Sequence, residues 1–177
     1  MIDIHWEKYK REFAGLAFNF EVNPLSCGNP EHFSNYIRFC AIADNIAGKS
    51  VTHIFLDSKE ENIIGYISLK ATSLLTQNDA HGKTILTGEP AIEIAELAVH
   101  KDFEKRGVGR ALIDLSISIA TRTNDSIFGI RHLVLAADPK AVAFYEHLQF
   151  LPLRDYFNIP LDASNANCVP MFMQLYT

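Results

Sequence analysis

Residues 97–110 read Leu97-Ala98-Val99-His100-Lys101-Asp102-Phe103-Glu104-Lys105-Arg106-Gly107-Val108-Gly109-Arg110, and the fold turns on this stretch. The apolar run Ile92–Val99 before the turn reads as a strand. After the turn, Val108, Ala111, Leu112, Leu115 and Ile119 recur on one face of a helix. The turn therefore joins a strand directly to a helix N-terminus, where backbone N–H groups are unpaired and carry partial positive charge. Gly107 and Gly109 remove side chains so that a phosphate can approach the backbone, and Lys105, Arg106 and Arg110 add charge. The chemistry suits a pyrophosphate. Leu112 stands where a dinucleotide-binding fingerprint needs its third glycine, and no Gly-Lys-Ser/Thr ends the turn as in a P-loop.

Working outward, Leu133–Ala137 is a short buried strand, and Asp138-Pro139 opens a second helix striped by Ala141, Tyr145 and Leu148. Strand, helix, strand, helix predicts two parallel strands joined by a crossover. Upstream, Asn29 caps a helix, Pro30 and Glu31 suit its first turn, and Phe33, Tyr36, Ile37, Cys40, Ile42 and Ala43 form its apolar stripe. Val51–Leu56 and Ile63–Leu69 are strands joined by the polar loop Asp57–Asn62, and Val169–Leu175 is a last strand. Residues 72–90 read as a long polar connection. In the first 28 residues, Trp6, Tyr9 and Phe13 sit at helical spacing, while Leu16–Val22 is strand-like. Within Ile92–Val99 the apolar parity slips near Ala95, as a β-bulge would make it, and that slip would turn Glu93 and Glu96 to one face.

The chain has 177 residues, 48% hydrophobic and 21% charged, which fits one globular domain over residues 1–177. A net charge of −5 argues against phosphate gripping as the main task, so nucleic acid is not expected as a partner. Cys27, Cys40 and Cys168 form no CxxC pair and read as buried free thiols. The histidines show no ligand spacing, so no metal is expected, and His100 reads as a capping or surface residue. Met1–Glu7 lacks a signal-peptide pattern and no apolar run reaches membrane-spanning length, which makes the cytoplasm the expected location.

Two motifs together resemble the GNAT superfamily of acyl-coenzyme A-dependent N-acyltransferases. That family's turn reads Gln/Arg-x-x-Gly-x-Gly/Ala after a strand ending Leu-Ala-Val; here it is Leu97-Ala98-Val99, then Glu104-Lys105-Arg106-Gly107-Val108-Gly109. Its second signature, Asn-x-x-Ala-x-x-x-Tyr running toward Gly-Phe, is similar to Asp138-Pro139-Lys140-Ala141-Val142-Ala143-Phe144-Tyr145 with Gln149-Phe150. Glu104, Asp138 and Gln149 depart from the pattern. Glu104 is expected either to turn outward onto Lys101 or Lys105 or to weaken cofactor binding. Asp138 loses the amide but can still cap, and Gln149 in place of glycine implies a different turn.

The resemblance implies an α+β fold with a central mixed sheet of about six or seven strands, flanked by helices, in which one pair of parallel strands splays apart. It implies acetyl-CoA as co-substrate. Backbone groups of Leu97, Ala98 and Val99 would pair with pantetheine, the N–H groups of Lys105, Arg106, Gly107, Val108, Gly109 and Arg110 would hold the pyrophosphate, and Asp138 would stand at the cofactor. Direct transfer requires that the amine lose a proton and the thiolate gain one. Tyr145 matches the family's acid, and Glu93 or Glu96 would serve as base. The leading expectation is an N-acetyltransferase for a primary amine of a small molecule or peptide, with contacts from residues 25–48 (Phe33 and Tyr36 among them) and 72–90 (the run Asn78–Lys83 among them); a homodimer is compatible with it. A second reading is the family branch that acetylates aminoacyl-tRNA and is checked by an antitoxin, resembled by Leu25-Ser26-Cys27-Gly28 before a helix and Lys70-Ala71-Thr72-Ser73 after a strand. That branch tends to be basic and to lack a strand glutamate, whereas this chain is acidic with two. A third reading is a module that binds acyl-coenzyme A without turnover.

Overall fold

The computed structural model describes residues 5–80, 83–153 and 167–176, with side chains at all of these except 76–80 and 83–86. In chain order the elements are β1 (His5–Lys8), α1 (Ala14–Ala17), α2 (Pro30–Asn35), a π-helical turn (Tyr36–Cys40), α3 (Ala41–Ile46), β2 (Val51–Leu56), β3 (Ile63–Ala80), β4 (Lys83–Val99), α4 (Val108–Ser126), β5 (His132–Ala137), α5 (Val142–His147), β6 (Leu151–Pro152) and β7 (Val169–Gln174). The strands hydrogen bond in the order β1-β2-β3-β4-β5-β7-β6. β4 and β5 are parallel, while β1/β2, β2/β3, β5/β7 and β6/β7 are antiparallel. This is the mixed sheet with flanking helices that the motifs imply. The chain clusters into two compact units, Met1–Lys70 with Ile94–Ser116, and Ala71–Glu93 with Ile117–Thr177.

In the first unit, Asn29 accepts the N–H of His32 at 3.2 Å and Pro30 occupies the first turn, as the sequence predicts. The helix then runs through the π-turn, which brings Ile37 and Ala41 onto a core of Tyr9, Phe20, Ile54, Leu56, Tyr66 and Ala98. Complete burial of Ile37 and Ile54 contributes about 1.5–3 kcal/mol each. The Tyr36 hydroxyl turns inward to Ser68 (2.9 Å) and Ser50 (3.2 Å), and Thr52 joins Ser68 at 3.2 Å, which satisfies buried hydroxyls that would otherwise cost stability. Tyr36 and Phe33, expected to meet an acceptor, thus serve the core. Asp57 closes the β2–β3 hairpin by accepting the N–H groups of Glu61 (2.9 Å) and Asn62 (3.3 Å).

In the second unit, Leu133, Val134 and Leu135 of β5 are all buried, the continuous run expected of a central strand. Leu74, Ala91 and Val134 form a core with Leu153 and Phe172 against it. Helix α5 ends in a Schellman motif: the N–H of Phe150 reaches Tyr145 O at 3.0 Å and that of Gln149 reaches Glu146 O at 2.9 Å. Gln149 is left-handed (φ 69°), a region that favours glycine, so the substitution keeps a glycine-type turn. The Tyr145 and Phe150 rings meet edge to face at 5.6 Å across this motif.

Four expectations are corrected. Trp6 belongs to strand β1, opposite Phe55 and edge-on to His53, while residues 14–17 are helical; an edge strand of four residues is too short to show alternation. Residues 72–80 and 83–90 belong to β3 and β4 rather than to a connection. Ser73 lies against Gly88, and a Cβ there would meet Ser73 Oγ at 3.5 Å, so the two strands pair with each other and need no apolar alternation. Asp138 opens a turn, accepting Lys140 N–H at 2.9 Å, and α5 begins only at Val142. Cys40 is exposed on the outer side of the π-turn; Cys27 is buried.

Candidate functional site

In the first unit, β4 ends at Val99, His100 donates its N–H to Ile64 O at 2.9 Å, and a 3-10 turn (Lys101–Phe103) leads toward α4. His100 caps that turn, its Nδ1 accepting the N–H of Asp102 at 3.2 Å. Lys105 and Gly107 both adopt left-handed backbone (φ 57° and 86°), and such a turn aims successive N–H groups to one side as an anion nest does. The first ladder bond of α4 runs from Ala111 N–H to Gly107 O at 3.0 Å, so the N–H groups of Val108, Gly109 and Arg110 precede the helix's own bonding. Lys105, Arg106, Gly107 and Arg110 are exposed, and a Cβ on Gly107 would meet nothing within 4 Å. Arg106 lies over the Phe103 ring at 5.4 Å, and Arg110 is 3.9 Å from Asp114. Open amides, an unobstructed glycine and three cations fit a pyrophosphate.

Gly65 lets α4 approach the sheet. A Cβ at this position would lie 2.9 Å from Val108 Cγ1, 3.1 Å from Leu112 Cδ1 and 3.2 Å from Ala98 O. The first turn of α4 is therefore seated directly on β3 and on the strand that carries Leu97, Ala98 and Val99.

Glu104 turns to neither lysine. Its Oε2 accepts from Ser26 Oγ (2.9 Å) and Asn23 Nδ2 (3.1 Å), and Asn23 Oδ1 in turn accepts Leu25 N–H at 3.0 Å. The carboxylate that departs from the motif thus ties the loop before α2 to the turn before α4. Lys101 instead pairs with Glu21, a hydrogen bond that raises the lysine pKa and lowers that of the glutamate.

Glu96 also lies in this unit, its side chain 15% exposed, with Oε1 at 2.9 Å from Nε2 of His32, which is 38% exposed. Burial, and then the charge of Glu96, pushes the Tyr66 hydroxyl well above its ordinary pKa; that hydroxyl donates to Phe33 O at 2.8 Å. Sequence reasoning missed His32, since nothing local marks a partner 64 residues away.

The second unit holds Glu93, Asp138 and Tyr145. Glu93 is half-buried on β4. Ala91, Ile92, Ile94 and Ala98 of β4 are buried. Tyr145 is buried, edge-on to Phe144 (5.0 Å) and Phe150 (5.6 Å), and the Schellman motif at the end of α5 fixes its backbone carbonyl. Among the described residues no group of His, Cys, Asp and Glu could hold a metal ion, and no helix is long and apolar enough to cross a membrane.

The family model described as "Acetyltransferase (GNAT) family" matches residues 14–150. A tRNA-acetylating toxin of Mycobacterium tuberculosis is 31% identical over 134 residues, covering 73% of this chain and 78% of that protein. Among solved structures, a bacterial toxin superposes with a TM-score of 0.77 at 20% identity, covering 99% of this chain and 92% of the other. AtaT complexed with acetyl-methionyl-tRNAfMet superposes with a TM-score of 0.74 at 16% identity, covering 97% and 95%. AtaTR bound with AcCoA gives 0.70 at 18% identity, covering 98% and 94%. The solved structures show a likeness of fold.

Proposed function

Because the chain belongs to the GNAT acetyltransferase family and is thus an acyltransferase that uses acetyl-CoA, we propose that it acetylates the amine of an aminoacyl-tRNA, as the toxin branch does, and is held in check by an antitoxin. The observation that carries the reading is the likeness to the mycobacterial tRNA-acetylating toxin, which runs through nearly three quarters of the chain. The expectation that nucleic acid is no partner rested on net charge, a whole-chain quantity that does not locate a local RNA-binding face.

The thioester supplies an activated acetyl group. The N–H groups from Lys105 to Arg110 hold its diphosphate, and the backbone of Leu97, Ala98 and Val99 pairs with the pantetheine arm. Asp138 stands beside the cofactor, where its side chain shapes the turn into α5. The amine nitrogen bonds to the acetyl carbon as the carbon–sulfur bond breaks. Tyr145 gives its phenolic proton to the departing sulfur and recovers one from water. The amine's proton passes to a carboxylate of β4, Glu93 or Glu96. An α-amine has a reference pKa of about 7.7–8.0, so an aminoacyl ester needs less help from a base than a lysine-like amine at about 10.4.

A small-molecule or peptide amine is the second reading, favoured by the two strand glutamates. Labelled acetyl-CoA incubated with charged tRNA and with an amine panel separates the two. Label on aminoacyl-tRNA with thiol release is expected. Label confined to small amines overturns the tRNA reading, and binding of acetyl-CoA without thiol release for any acceptor overturns both.

A further inference from the structure

We propose that His32 is a positioning residue: its Nε2–H clamps one oxygen of Glu96 and leaves the other to take the proton of the acceptor amine. The inference rests on the reading that a β4 carboxylate is the proton acceptor, and it selects Glu96 and names what aims it.

A carboxylate as buried as Glu96 needs a hydrogen-bond donor, because a buried charge without one is costly. Two donors are near. The Tyr66 hydroxyl is committed to Phe33 O at 2.8 Å. His32 remains, and its Nε2 stands 2.9 Å from Glu96 Oε1. Among the described residues, Oε2 of Glu96 makes no hydrogen bond. The residue is anchored at both main chain and ring: the backbone N–H of His32 donates to Asn29 Oδ1 at 3.2 Å, and the imidazole stands edge-on to Phe33 at 5.3 Å and 84°. A base aimed by a partner that is aimed by a third group is the arrangement that proton transfer from an amine requires. Placement adds to this: Glu96 directly precedes Leu97-Ala98-Val99, and the more exposed His32 lies on the first turn of α2, on the solvent side of the pair. In the step itself, the acceptor ammonium loses one proton to Glu96 Oε2. The carboxylic acid so formed returns it to water after the acetyl group has moved.

The test combines a resonance measurement that needs no substrate with kinetics. In protein carrying ¹⁵N-labelled histidine, the neutral His32 ring is expected as the Nε2–H tautomer, and E96Q is expected to remove that preference. A neutral Nδ1–H tautomer in the wild type overturns the proposal. In thiol-release assays with the acceptor that wild type uses, E96Q and H32A are expected to lower kcat by about 100-fold and about 10- to 100-fold, the range of one acid–base contribution, with acetyl-CoA affinity and melting temperature kept. H32Q, whose amide nitrogen falls where Nε2 stood, is expected to recover most of the loss. H32A added to E96Q is expected to cost nothing further. An equal loss from H32A with and without E96Q, or no rescue by H32Q, overturns the positioning role. If wild type acetylates only small amines, the tRNA reading fails while the Glu96–His32 comparison still decides this one.

Discussion

Replacing Gly65 with alanine would test whether the seating of α4 sets the turn proposed to hold the diphosphate. The new methyl would lie 2.9 Å from Val108 Cγ1 and 3.1 Å from Leu112 Cδ1, where carbon atoms prefer roughly 3.5–4.0 Å, so something must move by about half an ångström or more. The third neighbour, Ala98 O at 3.2 Å, is main chain of β4 and cannot rotate away. Relief therefore comes from the first turn of α4 lifting off the strand. Overpacking of this kind costs about 1–3 kcal/mol, which for a chain of this size lowers the melting temperature by roughly 3–10 °C. The same lift carries the N–H groups of Val108, Gly109 and Arg110 out of register with a bound diphosphate. Hydrogen bonds to charged groups contribute about 1.5–3 kcal/mol each, so losing half of one weakens acetyl-CoA binding by up to about tenfold. Denaturation midpoints and calorimetric titration with acetyl-CoA measure both effects. Adding Val108→Ala to Gly65→Ala removes the nearest obstructing atom and should recover part of each loss. A Gly65→Ala protein with wild-type stability and wild-type affinity would show that the close approach does not govern the turn.

Tyr145→Phe is expected to keep acetyl-CoA affinity while turnover falls at least roughly tenfold, the low side of an acid's contribution; stopped-flow thiol release and a binding titration check it. Gln149→Gly relieves a left-handed glutamine at the end of α5 and should raise stability by up to about 1 kcal/mol, read as a higher calorimetric midpoint. Tyr9 is pushed up to about 12 by burial, and its hydroxyl has no partner among the described residues, so Tyr9→Phe is expected to leave stability unchanged or raised by about 1–2 kcal/mol in urea titrations. Burial, with Lys8 opposite it across the β1–β2 pair, lowers the pKa of His53. Above pH of about 6.5 both folded and unfolded chains carry it neutral; below that the unfolded chain binds a proton that the folded one resists, so stability falls with pH until the depressed value is reached. His53→Gln should shrink the difference between urea midpoints measured at pH 7.5 and pH 5.5.

Local chemistry was the legible part of this chain. Asn29-Pro30-Glu31 announced α2 because a cap, a proline and a first-turn acid each act within one turn. The turn into α4 was readable for the same reason: its glycines and the helix start lie within a few residues of each other. β2 and the start of β3 were readable because Asp57 closes their loop with bonds to the next few residues. What escaped depends on distant partners. Trp6 reads as helical by spacing until Phe55 stands opposite it. Residues 72–90 look like loop because two strands that satisfy each other's backbones need little apolar patterning. The run Asn78–Lys83, expected to meet an acceptor, lies outside the described side chains. His32 and Glu96 are unremarkable separately and become a pair only when α2 crosses β4.

The bond set of Glu104 bears on how this chain could have diverged. Where the family's motif has glutamine or arginine, position 104 carries a carboxylate that fastens Asn23 and Ser26. Restoring glutamine or arginine there would cut the fastening loose, and changing Asn23 or Ser26 would strand a carboxylate beside a diphosphate. The three positions are thus coupled through these bonds, and relatives with glutamine or arginine at 104 should carry other residues at 23 and 26.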